Sequence, residues 1–381
     1  MRIGIDYRTA LVNREGIGRA TRELVRALQT LDEAPEMRLF GWTLAKSEVA
    51  RAELGLLDRG AHLDRLRFPS RWIPRLCRVL GRGVDDLIGG CEVFHHTQTH
   101  VLPVRAAVET AIVFDCIWAR PGSGLSGEAA ARMAAGVRAQ CARARRVLTP
   151  SAFVADDVAR TLGIDRARID VALLGCDHVL RGGAPGPSSV RGPYVLTVSR
   201  VDARKNHLAM LRAFETAVRS GVEHRWIVAG PRGFGAEEFE SALMSSSARD
   251  RVVRLDFVPE MELRTLYAGA SAFLFASLDE GFGLPPLEAA ALGVPVIASS
   301  AGSLPEVLAQ GALLPDPHDT DAVARDLIEV LRNRELARDL ALRGRERAAE
   351  LTWSACARGT LDCWLRALNA PGSRPAATSP S

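Results

Sequence analysis

Two carboxylates with seven residues between them, Glu280 and Glu288, bracket the turn Gly281-Phe282-Gly283-Leu284. A carboxylate accepts hydrogen bonds from paired hydroxyls such as those of a sugar. Amides at a helix N-terminus suit hydroxyl or phosphate oxygens. The run DEGFGLPPLEAAALGVPVIASS offers both. Its glycines let backbone approach a ligand closely. Pro285 and Pro286 suit a first helical turn, where a lost N–H matters little, and Glu288 is expected within that turn. Gly293 ends the helix, and VPVIAS reads as the next buried strand. The plainer role for Glu288 is to complement the helix dipole. Two acids flanking one glycine turn favour a ligand instead.

A second cluster, Ser199–Asn206, reads SRVDARKN directly after the apolar run YVLTV. Ser199, Arg200, Arg204 and Lys205 at a strand's carboxyl end suit a diphosphate, whose negative charge grows as a bond to it breaks. The bland alternative is a solvated basic turn leading into a helix. Near the start, NREGIGR places Gly16 and Gly18 at a helix entry, where an anion can come close; a simple loop has the same composition.

With these residues in view, the chain resembles glycosyltransferase family 4. Glu280 and Glu288 match its E-x7-E motif in the form EGFGLPxLEA. The resemblance implies that Glu280 contacts the transferred hexose and Glu288 the nucleotide ribose. It also implies that backbone at Phe282, Gly283 and Leu284 meets sugar and diphosphate. Arg200 and Lys205 match the family's diphosphate-binding Arg and Lys, and Arg204 a variant reading RKN. The stretch LDFVPEMEL puts backbone near Val258 at the nucleotide base. GIGRATREL is similar to a loop lining the donor and acceptor cleft, which assigns Gly16 and Gly18 there. VFHHTQTHVLP is similar to a family stretch with His95 at its His position. TAIVFDCIWARP matches another, which faces the transferred sugar, through Asp115, but carries Phe114 where the family has His. The resemblance makes Asp115 and His95 catalytic candidates, with His95, His96 or His100 to supply the missing imidazole hydrogen bond to the sugar. SLPEVLAQGALLP continues the likeness. The resemblance runs from Met1 to about Leu368 and is most specific over Tyr194–Pro315. Within the family, the chain looks most like bacterial mannosyl- and rhamnosyltransferases of surface polysaccharide assembly.

The implied fold is α/β of the GT-B type: two Rossmann-like, doubly wound parallel-sheet domains with an interdomain cleft. The implied reaction is retaining hexose transfer from a nucleotide diphosphate sugar, with GDP-mannose the first choice of donor and a glycan or lipid-linked acceptor. No enzyme nucleophile is apparent, so the leaving phosphate itself takes the acceptor's proton. No cofactor or metal is expected.

These residues need elements to hold them, and the chain alternates strand-like and helix-like segments twice. Strands are expected at Arg2–Asp6, Met37–Trp42, Glu92–His95, Val108–Val113 and Val147–Thr149. Helices are expected at Ser126–Ala142 and Ser151–Leu162, and Ile17, Leu24, Leu28 and Leu31 recur at helical spacing. RGGAPGPSSVRGP then marks a linker. The alternation restarts with Tyr194–Ser199, Trp226–Ala229, Val252–Phe257, Phe273–Phe275, Val294–Ala298 and Ala312–Leu314. Two such series predict two parallel sheets. Their ligands are expected at the carboxyl ends of strands. The expected domains are 1–185, joined by a last helix at 353–369, and 193–352, with a disordered tail at 370–381.

Length and composition agree: 381 residues favour two domains, and 47% hydrophobic with 25% charged residues is an ordinary globular balance. A net charge of +4 is too weak to argue for nucleic acid. Seven scattered cysteines without CxxC spacing argue against zinc or a disulfide framework and for a cytoplasmic setting. Asp319-Thr320-Asp321 has the DxD form of a metal motif but precedes an apolar-periodic run, so a helix cap is expected. Arg65, Arg67, Arg71, Arg75, Arg78 and Arg82 alternate with apolar residues. That face suits either an anionic membrane, at the inner side of the cytoplasmic membrane, or an ordinary helix rim. Nucleotide-sugar epimerisation and binding without turnover are competing readings. A dinucleotide oxidoreductase would need GxGxxG after the first strand, where only GIG stands.

Overall fold

The computed structural model describes residues 1–14, 16–43, 54, 56, 60–69, 72–98, 101–120, 125–181, 183, 186 and 190–370. Arg71, His100, much of the Gly/Pro-rich stretch and the tail from 371 onward lie outside the described residues. The chain divides into two units. One holds Met1–Ala119, Ser126–Leu174 and the segment from Trp353; the other holds Arg120–Leu125 and Gly175–Thr352.

The first unit is a seven-stranded sheet. Its strands are β1 (Arg2–Asp6), β2 (Glu36–Trp42), β3 (Ala61–Leu66), β4 (Val93–His96), β5 (Val108–Ile112), β6 (Arg146–Thr149) and β7 (Ile169–Val171). Their order is β3-β2-β1-β4-β5-β6-β7, and every pairing is parallel. A parallel sheet is covered on both faces, so its inner strands read as apolar runs. Ile3, Ile5, Val93, Phe94, Val147 and Leu148 are accordingly buried. The two strands absent from the sequence reading, β3 and β7, are the two edges of this sheet. Their sequences, AHLDRL and IDV, carry polar residues that a half-covered edge admits.

The second unit is a six-stranded sheet of β8 (Tyr194–Val198), β9 (Arg225–Ala229), β10 (Val252–Leu255), β11 (Ala272–Phe275), β12 (Val296–Ala298) and β13 (Ala312–Leu313). The order is β10-β9-β8-β11-β12-β13, again parallel throughout. Trp226, Phe214, Met210 and Leu327 anchor its core. Each sheet thus reverses its direction of strand addition once, at β1/β4 and at β8/β11. Loops leave such a switch point toward opposite faces and open a crevice at the strands' carboxyl ends.

Local signals place the helices. Ser151 caps Ala152–Leu162 by accepting from Val154 N at 3.2 Å. Asp319 caps Thr320–Arg332 by accepting from Ala322 N at 2.9 Å, the role expected for the DxD triplet. The helix Gly16–Leu28 stops short of Leu31, and Ile17 on its first turn is 37% exposed. The helix Leu284–Ala291 begins one turn before Glu288, so that acid lies beyond the first turn where it was expected. Among the described residues, no helix is long and apolar enough to cross a membrane.

Candidate active site

The second unit's switch point gathers the residues that the spacing singles out. The loop after β8 carries Ser199, Arg200, Arg204 and Lys205; the loop after β11 carries Asp279 and Glu280. Backbone stitches the two together: Leu278 N donates to Arg204 O at 2.9 Å, and Ser277 Oγ to the same oxygen at 3.3 Å. Lys205 Nζ then pairs with Glu280 Oε1 and lies 5.1 Å from the centre of the Phe275 ring. Arg204 donates to Asp279 O and stands 3.3 Å from Glu280 Oε1. Arg120 pairs with the Asp279 carboxylate. Arg200 is exposed on the neighbouring turn, its stem lying over Gly233, where an added Cβ would come within 2.7 Å of Arg200 Cγ.

Burial would raise the Glu280 carboxyl, but Lys205 and Arg204 outweigh it and hold the group below the ordinary carboxylate range. Glu280 is therefore an ionised acceptor. Burial pulls the Lys205 ammonium down, against the opposing pull of Glu280. Glu280 is also fixed from behind. Its carbonyl accepts from Ser303 N and Ser303 Oγ, each at 3.0 Å.

The turn between the two acids does what its sequence suggests. Gly283 sits at φ +92°, and an added Cβ there would lie 2.4 Å from Leu304 Cδ2. Pro285 and Pro286 carry no N–H, so of the donors a helix start leaves over, those of Gly283 and Leu284 remain. Phe282 is buried, at 5% exposure, and anchors the turn. Val258 is half-buried in the loop after β10, beside Phe257, which is 50% exposed.

Glu288 has partners that no spacing in the chain foretells. Its Oε1 is 3.1 Å from His178 Nε2, and its Oε2 accepts from Tyr267 Oη at 2.9 Å. All three residues are buried. Glu280 and Glu288 thus belong to different clusters, one basic and one formed by His178 and Tyr267.

In the first unit, Gly16 opens its helix at φ +40° and is exposed. Gly18 is required by its own chain: a Cβ there would lie 2.0 Å from Asn13 O. Arg22 shapes the same loop, donating to Ala10 O, Asn13 O and Arg14 O at 2.9, 2.6 and 3.0 Å. Asp115 is half-buried and accepts from Ile117 N at 3.2 Å. His95 departs from its expected role. It is fully buried, and its Nδ1 lies 2.9 Å from Thr110 Oγ1 and accepts from Trp364 Nε1 at 3.2 Å. Burial, with His96 beside it, pushes its pKa down to about 3. It is a neutral histidine of the core. His96 is equally buried, with Nε2 3.0 Å from Glu109 Oε2.

Residues 186–347 match the family described as glycosyl transferases group 1. The O-antigen chain mannosyltransferase B of Escherichia coli is 27% identical over 371 residues, spanning 92% of this chain and 95% of the relative. The D-inositol 3-phosphate glycosyltransferase of Nocardia farcinica is 31% identical over 345 residues, 80% of this chain and 73% of the relative. Among solved structures, sucrose-phosphate synthase from Thermosynechococcus elongatus superposes with a TM-score of 0.74 at 19% identity, covering 96% of this chain and 98% of that one. HepE from Anabaena, solved with UDP and glucose, gives 0.71 at 15% identity, covering 95% and 98%. With the two parallel sheets, these likenesses show the GT-B fold.

Proposed function

The chain belongs to the glycosyl transferases group 1 family and is a glycosyltransferase, and from that premise we propose that it moves a hexose, with retention, from a nucleotide diphosphate sugar to a glycan or lipid-linked acceptor. GDP-mannose is the first choice of donor. Its support is the likeness to a protein named as an O-antigen mannosyltransferase along nearly the whole chain. The observation that carries the reading is the junction of Lys205, Arg204 and Glu280 at the second sheet's switch point.

In this reading Lys205, Arg204 and Arg200 hold the diphosphate, with Ser199 at the root of their loop. Glu280 and the backbone of Phe282, Gly283 and Leu284 orient the hexose. Glu288 accepts from the ribose, and backbone at Val258 meets the base. As the glycosidic bond breaks, negative charge grows on the leaving diphosphate. Fixed cations there each contribute on the order of 10²–10³ in rate. Because those cations supply the charge, we assign no metal or other cofactor to the reaction; full activity in excess EDTA is the expected result. Gly16 and Gly18 line the path where donor and acceptor meet, Asp115 faces the transferred sugar, and His95 has a packing role. We read the exposed Arg75 and Arg78, next to exposed Trp72, Val79 and Leu80, as a face of the first unit suited to an anionic membrane.

A thermal-shift screen with GDP-, UDP-, dTDP- and ADP-sugars tests the donor. GDP-mannose is expected to raise the unfolding temperature most, and the shift is expected to vanish in Glu288→Ala. A larger shift with dTDP-rhamnose or a glucose donor would replace mannose. No shift with any of the four would overturn the donor reading.

A further inference from the structure

We infer that His178 is a positioning residue for nucleotide recognition: with Tyr267 it sets the plane of the Glu288 carboxylate that meets the ribose. The inference rests on the ribose role proposed above for Glu288.

His178 lies on the short turn Asp177–Leu180, ahead of the Gly/Pro-rich stretch and far in sequence from the E-x7-E motif. By composition this turn would end the first domain. It belongs instead to the second unit, which begins at Gly175. Two bonds clamp it there. Arg264 Nε donates to Val179 O at 2.7 Å, and Cys176 N donates to Leu351 O at 3.0 Å. Arg264 stands on the helix Glu260–Ala268, which also carries Tyr267. One helix therefore secures the His178 turn and supplies the second partner of Glu288.

The geometry is that of a carboxylate held at two points. His178 Nε2 stands 3.1 Å from Oε1, and Tyr267 Oη donates to Oε2 at 2.9 Å. With a proton on Nε2, His178 donates to one oxygen and Tyr267 to the other, and rotation about the last side-chain bond would break both bonds. Exposure of Glu288 and His178 is 2% and 3%. In such a setting a hydrogen bond to an ionised group is stronger than at the surface. A carboxylate offers about four acceptor positions in one plane. Orienting that plane decides whether the vicinal hydroxyls of a ribose meet it in line. Dipole complementation explains neither the second donor nor the burial, and Glu288 is not in the first helical turn.

The test measures binding of GDP, UDP and ADP, each against its 2′,3′-dideoxy counterpart, by calorimetry on the full chain. The wild-type protein is expected to prefer the hydroxylated form of whichever nucleotide binds. His178→Leu is expected to weaken binding of that form about tenfold, the scale of one charge-assisted hydrogen bond, and to leave the dideoxy form unchanged. His178→Gln, whose amide still donates, should restore most of the preference. Tyr267→Phe, which removes one hydroxyl, should lose part of it. His178→Asn, too short to reach, is expected to match His178→Leu and replaces it should the leucine variant not fold. A His178→Leu or His178→Asn protein that keeps the full preference overturns the inference. So does one that loses both ligands equally, since the role would then be structural alone. A wild-type protein that binds both forms equally defeats the ribose role of Glu288 itself, a result distinct from either.

Discussion

Asp6, His95 and His207 are buried titratable groups whose protonation the fold has decided. Burial pushes His95 and His207 from an ordinary 6.5 down to about 3. Below pH 6.5 the unfolded chain takes up protons that these native histidines refuse. Stability present above pH 6.5 is therefore lost as the pH falls toward 3, by about 1.4 kcal/mol per pH unit for each group. Asp6 acts in the opposite sense. Burial raises its carboxyl from 3.8 to about 7, against the hydrogen bond from Gln98. The native state keeps a proton there that the unfolded chain releases, so this contribution falls as the pH rises from 3.8 to 7. Two histidines outweigh one carboxyl. The urea midpoint is expected to drop between pH 6.5 and 4.5, and to drop more steeply in Asp6→Asn, where the opposing group is gone. An unchanged or shallower slope in that variant would show that Asp6 is ionised in the native state.

At the scale of elements, the site depends on loops that only the sheet order brings together. Glu280 is held by the turn Ser300–Ser303 as much as by its own loop. Gly302 sits at φ +65°, and an added Cβ would lie 2.6 Å from Glu280 O and 2.7 Å from Glu280 N. Gly302→Ala must therefore move the Glu280 backbone. It is expected to cost about 1–3 kcal/mol through strain and to lower kcat/KM at least tenfold while the protein stays folded. Gly221→Ala is the control. Its φ of +92° is also positive and at least as costly for alanine, but its nearest atom is Arg332 Nη2 at 4.0 Å. It should lose stability and keep activity. Equal activity in the two variants, read from initial rates beside urea midpoints, would remove Gly302 from the support of the site. The same scale explains the strands that were hard to read. β3 and β7 are sheet edges and carry polar residues, whereas the inner strands follow from their apolar runs.

For the whole molecule, the basic stretch after β3 is the feature with the largest consequence. It is part strand and part helix. Arg65 lies in β3 and Arg67 follows it, while Arg75 and Arg78 stand exposed on the helix Ile73–Leu80 with Ile73 and Cys77 turned into the core. Arg75 lies 4.8 Å from the centre of the Trp72 ring. Val79 is 84% exposed. Each basic residue near an anionic surface contributes about 1 kcal/mol, screened by salt. The full chain is expected to sediment with phosphatidylglycerol vesicles at low salt, and to be released at about 0.5 M salt, where the screening length falls to roughly 4 Å. Neutralising Arg75 and Arg78 with Trp72→Ala should abolish sedimentation. A wild-type chain that stays in solution, or retained binding in that variant, would rule out this face as a membrane contact.

What the amino-acid order determined by itself was everything carried by neighbours in the chain. That includes the alternation of strands and helices, the caps Ser151 and Asp319, the glycine turn between two acids and the basic loop after β8. Those signals repeat every two to four residues, the range over which backbone geometry correlates side chains. Tertiary structure decided the rest. It put Glu280 on Lys205, buried His95 under Trp364, and set His178 on Glu288 across 110 positions. No local period encodes such pairs, because they exist only once parallel strands have taken their order in the sheet.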